Sequence, residues 1–311
     1  MFEEFRNKLV GARAAHGVWL TSLMSEEAGK WLTTVPKLAK YKFSNLKYST
    51  QMRFRLHLEI PDICYGVRCL CSRRTVVDAT GHHLVTGCGY DGHRHRIHDT
   101  VVHELTACLR YCGLWVIREE LGCFKLALPH CNKRPDISIN NPLPGGDFLQ
   151  DGCGAKLVLD VQVTCPMVGA QGGVLQQDLS GVQIREKGRA AKKAFNGKNV
   201  KYKQIANNSG ISFQPIIFES TGAMEETTVK FLRQCAKHCA EVKKIDESII
   251  YGYITNRLSC VFQSCIADSI IARSHVINSH ATRAAARAYI VSDDHVRTHS
   301  IHRSGGRTSR R

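Results

Sequence analysis

The segment AKLVLDVQVT, residues 155–164, constrains every other element of this chain. Leu157-Val158-Leu159 and Val161-Gln162-Val163 have the length and β-branched character of a core strand, yet Asp160 stands between them. A carboxylate inside a buried strand is costly unless it meets a cation or hydrogen-bond donors. The segment therefore predicts a core strand that carries a functional acid. On its N-terminal side, LWVIREE (114–120) and RPDISIN (134–140) read as two further strands; on its C-terminal side, ISFQPIIFES (211–220) reads as a fourth. Pro135 cannot donate to a sheet ladder and fixes the local chain direction, so Asp136 is presented at a strand mouth.

Helical patterns surround these strands. In HDTVVHELTACLRYC (98–112) apolar residues recur at 101, 102, 105 and 109, which predicts a helix ending at Gly113. Residues 182–206 read as a helix with a basic face, and 224–278 as two more. Helix, three strands, helix, strand, helices describes an α/β (α+β) fold, a small mixed sheet flanked by helices. Residues 99–278 make up this core. Residues 1–61 form a helical, basic lead-in anchored by Trp19, Leu20, Leu23, Trp31 and Leu32. Residues 62–98 are rich in Cys, His and Gly and need a staple to fold. Residues 279–311 read as a basic, disordered tail able to lie on phosphates, although HATRAAARAYI could continue a helix.

The chain has 311 residues, 43% of them hydrophobic, and a formal charge of +16. That apolar fraction supports a real core, and the charge favours a polyanionic partner, nucleic acid ahead of an acidic membrane. The opening MFEEFRNKLV lacks the apolar centre of a signal peptide, so the 14 cysteines read as reduced thiols rather than a disulfide framework. No apolar run approaches the ~20 residues that span a bilayer, and the expected residence is nuclear or cytosolic.

Two constellations carry chemistry. In CLCSRRTVVDATGHHLVTGC (69–88), Cys69-x-Cys71 and His83-x4-Cys88 offer two ligand pairs for a tetrahedral Zn²⁺, with Cys64, His82, His93 and His95 as substitutes. Cys108 with Cys112, and Cys235 with Cys239, read as packing residues on helices. The second constellation is Asp136 and Asp160, two strand-borne carboxylates of the kind that hold Mg²⁺ for phosphodiester hydrolysis. Restriction-type nucleases place a lysine two residues after the second acid. Gln162 stands there, so the cation would come from the following helix, where Lys198 and Tyr202 share a face.

The ordered set Cys69-x-Cys71, Gly81-His82-His83-x4-Cys88, Ile97-His98-Asp99, Arg134-Pro135-Asp136, Asp160-Val161-Gln162-Val163, Lys198-x3-Tyr202 and Phe213-x-Pro215 resembles the C-terminal part of early-branching non-LTR retrotransposon polyproteins, from about residue 15 to 275. The resemblance implies a zinc knuckle at Cys69, Cys71, His83 and Cys88, followed by a restriction-endonuclease-like domain. Its metal-binding acids would be Asp136 and Asp160, with Lys198 catalytic and Tyr202 beside it. It further implies a Mg²⁺-dependent endonuclease that nicks target DNA, with DNA and the element's RNA as partners and a reverse transcriptase elsewhere in the parent element. Departures are Gly81-His82-His83 where the family often has Gly-Asp-His, and Ile97-His98 where it has Arg-His. Such nucleases often add a glutamate; among Glu104, Glu119 and Glu120 the reading takes Glu119. The only Asp-Asp pair, Asp293-Asp294, lacks the aromatic residue of a polymerase motif. The rival expectations are a catalytically inactive nucleic-acid-binding protein of retroelement origin and a branched-DNA resolvase.

Overall fold

The computed structural model describes residues 14–89, 92–125, 130, 133–140, 156–166 and 186–301. Helices α1 (Ala14–Leu23) and α2 (Asn45–Arg55), with a short helical turn at Lys30–Thr33 between them, precede a segment poor in regular structure. There follow α3 (His93–Tyr111), β1 (Val116–Arg118), β2 (Ile137–Ile139), β3 (Leu157–Thr164), α4 (Arg189–Asn208), β4 (Ser212–Glu219), α5 (Glu226–Lys243) and α6 (Glu247–Ile301). The sheet has the order β1-β2-β3-β4; the first two pairings are antiparallel and β3 runs parallel to β4. A parallel pair needs a crossover, and α4 supplies it. The chain thus forms the mixed sheet flanked by helices that its residue pattern predicts.

Alternation along β3 places the site. Leu157, Leu159 and Val161 join the main core, in which residues of α3, α5 and α6 meet. Val158 points the other way, into a smaller cluster with Ala206, Ile211 and Phe213. Because side chains alternate with period 2, Asp160 shares the face of Val158 and looks toward α4. Asp160 is level with Pro215 on β4, an edge strand where a missing N–H is tolerated.

Helix α6 is the spine of the molecule. Its buried residues Ile250, Ile254, Leu258, Phe262, Ile266 and Ile270 recur every fourth position. Four residues advance a helix by 400°, so the buried stripe drifts by about 40° per step and winds around the helix. Helix α6 packs against α3, α5 and α2. The cysteine-rich segment joins the same core through Cys69, Cys71, Val77, Leu84 and Cys88, as do Trp19 and Phe54 of the N-terminal helices.

Several boundaries differ from the sequence expectation. Helix α3 starts at His93 rather than 98, behind Gly92 at φ +65°; its first turn is polar and gives no periodic signal. Helix α4 starts at Arg189, behind Gly188 at φ +68°, while 182–185 lie outside the described residues. The strands expected at 114–120 and 134–140 shorten to three residues each. Helix α6 continues to Ile301, through most of the stretch read as a disordered tail, whose residues 302–311 lie outside the described residues. Among the described residues, no helix is long and apolar enough to cross a membrane.

Candidate active site and metal centre

Asp136 enters from the residue ahead of β2, Asp160 from mid β3 and Lys198 from α4; all three line one cleft of about 540 Å³. Lys198 Nζ forms an ion pair with Asp160 Oδ2. Asp136 Oδ2 accepts the backbone N–H of Val161 at 2.6 Å and lies 3.1 Å from His98 Nε2. Burial pushes the Asp160 carboxyl above its ordinary range, the charge of Lys198 opposes the shift, and the negative charge of Asp136 adds to it. The two acids are therefore electrostatically coupled.

His98 is the residue whose role the sequence reading left unassigned. It stands on α3 with Nε2 on Asp136 and Nδ1 3.0 Å from Asp99 Oδ1. Hydrogen bonding to Asp136 raises its pKa to about 9; burial opposes this, and Asp99 adds to it. The ring is thus an imidazolium at neutral pH, a cation clamped between two carboxylates. A folded-state pKa above the unfolded value of about 6.5 gives stability that is full below that value and is lost as pH rises through about 9. In zinc-loaded, Mg²⁺-free protein, NMR titration of the His98 ring should give a pKa near 9, and Asp136→Asn should lower it. An unchanged value in the variant would refute the clamp.

Tyr202 packs on Phe213, with ring centroids 5.6 Å apart, and carries the ammonium groups of Lys133, Lys198 and Lys201 within 5.7 Å of its ring centre. Glu119 donates its backbone N–H to the Asp136 carbonyl at 3.2 Å but does not line the cleft. Its exposed side chain pairs with Arg134 at 3.4 Å, and the residue adopts φ +48°. Glu120 pairs with Lys156 at 2.6 Å. Glu104 is buried and fully engaged, accepting from Lys40, Tyr41 and Arg257, and so fastens the N-terminal region and α6 to α3.

The second constellation also assembles. Donor atoms of Cys69, Cys71, His83 and Cys88 all lie within 4.8 Å of one another, and all four residues are buried. Cys69 Sγ is 3.4 Å from Cys88 Sγ, and Cys71 Sγ is 3.6 Å from His83 Nε2. For a tetrahedral Zn²⁺ with bonds of about 2.3 Å to sulfur and 2.0 Å to nitrogen, the corresponding edges would be about 3.8 Å and 3.5 Å. The cluster can hold a metal such as zinc. Burial lifts the Cys69 thiol to about 12 and lowers the His83 pKa, keeping that ring a neutral ligand. Cys71 lies below the ordinary range despite burial, because the backbone at Thr75 and the Cys69 thiol donate to it.

Local sequence explains the preformed geometry. Asp78 accepts the N–H groups of His82 and His83 at 2.9 and 2.8 Å and the Thr80 hydroxyl at 2.8 Å, capping the turn that carries His83. Gly81 provides its left-handed step at φ +80°, where a Cβ would press on Ile63 and Ile60 at 3.3 and 3.4 Å. His82 turns away from the cluster, 2.9 Å from His57 Nδ1 and edge-on to Trp19. Of the other substitutes, His95 lines the acidic cleft, Cys64 packs against the core, and the His93 side chain lies outside the described residues. Cys108, Cys112, Cys235 and Cys239 are buried core residues, and burial raises the thiols of the first three. Val85, Cys88 and Gly89 contribute to the lining of the acidic cleft, so one of the four candidate ligands, the buried Cys88, borders it.

No family model matches the chain. It is 28% identical over 208 residues to a protein of Trypanosoma brucei gambiense described as the retrotransposable element SLACS 132 kDa protein. The alignment takes in 67% of this chain, which spans only about 15% of that relative's length. The similarity supports a retrotransposon relationship for this chain.

Proposed function

We propose that this chain is a Mg²⁺-dependent DNA endonuclease of retrotransposon origin, with a zinc centre that borders its catalytic cleft through Cys88. The observation that carries the reading is the meeting of Asp136, Asp160 and Lys198 in one cleft of a mixed sheet whose parallel strands are bridged by α4. Asp136 and Asp160 would hold Mg²⁺, which when bound supplies Lewis-acid activation of water and charge neutralisation at the scissile phosphate. The Val161 N–H fixes the orientation of Asp136. Lys198 brings a compact positive charge to the side of Asp160 where negative charge develops on the phosphate. Tyr202 holds Lys198 and Lys201 on the same edge of α4. Glu119, paired outward with Arg134, has no part in this scheme.

A second cleft of about 430 Å³ continues from the first, sharing Gln162 and Lys198 with it. Lys193 and Lys201 flank it, and its described lining contains no carboxylate. This suits the phosphates that neighbour the scissile one. Each phosphate contact adds about 0.9 to the slope of log affinity against log salt for duplex DNA, so Lys193→Gln with Lys201→Gln should lower that slope by roughly two. An unchanged slope would place the nucleic acid elsewhere.

The function is tested by nicking of supercoiled plasmid with and without Mg²⁺, with Asp136→Ala as control. Mg²⁺ is to be omitted rather than chelated, because a chelator would also strip the zinc centre. Nicking that requires both Mg²⁺ and Asp136 supports the nuclease. The place after the second acid held by Gln162, where restriction-type nucleases have lysine, favours a second reading, a nucleic-acid-binding protein without catalysis. DNA that is shifted in a salt-sensitive way but never cut would establish it.

A further inference from the structure

Arg273 lies on α6, far in sequence from the cysteine-rich segment, and is buried at 3% exposure. Its guanidinium donates through Nη2 to Cys88 Sγ at 2.6 Å and through Nη1 to the carbonyl of Leu84. Buried guanidinium groups are expensive to desolvate and are retained where an anion meets them. Three thiolates and a neutral imidazole around Zn²⁺ would leave a net charge of −1 on the centre, and Arg273 is a buried cation in hydrogen-bond contact with it, while Arg73 acts on His83 through its charge. From these contacts we infer that Arg273 is the outer-sphere charge partner of the metal centre, hydrogen-bonded to its Cys88 ligand and tying the metal-bearing turn to α6. Cys88 is also part of the wall of the acidic cleft, so Arg273 is a positioning residue for that wall. This inference rests on reading the tetrad as a zinc centre.

The contact with Leu84 provides a built-in rival, a tether that acts through a hydrogen bond without regard to charge. Arg273→Gln keeps a donor for the carbonyl and removes the charge, whereas Arg273→Lys keeps the charge. Zinc affinity is measured for the full chain by competition with a chromophoric chelator under reducing conditions. Arg273→Gln is expected to bind zinc 10- to 100-fold more weakly, the range typical for outer-shell partners, with Arg273→Lys closer to the parent chain. Cobalt substitution gives an independent readout, because loss of a thiolate ligand weakens the sulfur-to-metal charge-transfer band. In a Cys88→His background the centre is neutral, and the same Arg273→Gln change should cost little affinity.

Equal zinc affinity in the parent and Arg273→Gln chains overturns the inference while leaving the zinc centre intact. An equal loss in both backgrounds also overturns it, in favour of the tether. A parent chain that binds no zinc overturns the zinc reading and the inference together. If Arg273→Gln does not fold, the Cys88→His double variant decides: recovery of folding supports charge pairing, and continued unfolding refutes it.

Discussion

Asp160→Asn is expected to reduce Mg²⁺-dependent nicking by at least about a thousandfold while leaving DNA affinity in Mg²⁺-free buffer near that of the parent chain. If Asp136 and Asp160 hold the metal as proposed, loss of one removes several kcal/mol of transition-state stabilisation, and each 1.36 kcal/mol is tenfold in rate. The same substitution should raise the melting temperature. Burial in β3 pushes the Asp160 carboxyl upward, so its charged form is less at home in the folded chain than in the unfolded one. A carboxylate whose folded pKa is raised contributes stability at low pH and loses it as pH rises past the unfolded value of about 4, and an amide has no such loss. Inactivation and stabilisation in one variant would mark Asp160 as a residue retained for chemistry at the expense of the fold. Parent-level nicking by Asp160→Asn would end the nuclease reading.

Stripping zinc under reducing conditions is the second large effect expected. The segment around Cys69 and Cys88 is held by short-range turns and one small hairpin, in which Gly66 and Val77 donate backbone N–H groups to Val77 and Val67 and Cys69 donates to Thr75, with no long strand or helix of its own before α3 among the described residues. A ligand present at about a thousand times its dissociation constant stabilises the folded state by about 4 kcal/mol. For a chain of this size, roughly 2–4 °C per kcal/mol converts this into a fall of about 8–16 °C on chelation. Nicking should fall with it, since the lining contributed by Val85, Cys88 and Gly89 loses its support. Cys69→Ser should reproduce both losses. Identical melting curves before and after chelation would show that the tetrad is not a structural metal centre.

Much of this was legible in short-range pattern. A strand run interrupted by a carboxylate marks β3 and Asp160, because alternation and the cost of burying charge are both local rules. The spacing of Cys69, Cys71, His83 and Cys88 lies within one turn-rich segment that can close on itself, and its four donor atoms do converge. The His98 clamp was not legible, since a histidine on a polar helix turn carries no sign of the carboxylate 38 residues away that engages it. Arg273 was still less so, one of several basic residues along α6 and 185 residues from its sulfur partner. The sequence does not choose among Glu104, Glu119 and Glu120; in the structure Glu119 has a backbone φ of +48° and pairs with Arg134, Glu120 pairs with Lys156, and Glu104 is buried against Lys40, Tyr41 and Arg257. Helix α6 was legible as far as 278; its continuation to Ile301 was not, because residues 279–301 are basic and lack the apolar repeat that marks Ile250 to Ile270.

That winding stripe has a consequence for the chain as it leaves the ribosome. The Trp31 N–H donates to Ser259 of α6 across 228 residues, and the Tyr251 hydroxyl donates to Glu27 across 224. At roughly 5–20 residues per second of synthesis, the N-terminal helices and the nascent cysteine cluster wait about 10–45 s for the element that completes their packing. During that interval Cys69, Cys71 and Cys88 are open thiols without Arg273, so zinc capture and the synthesis of α6 become coupled events in time.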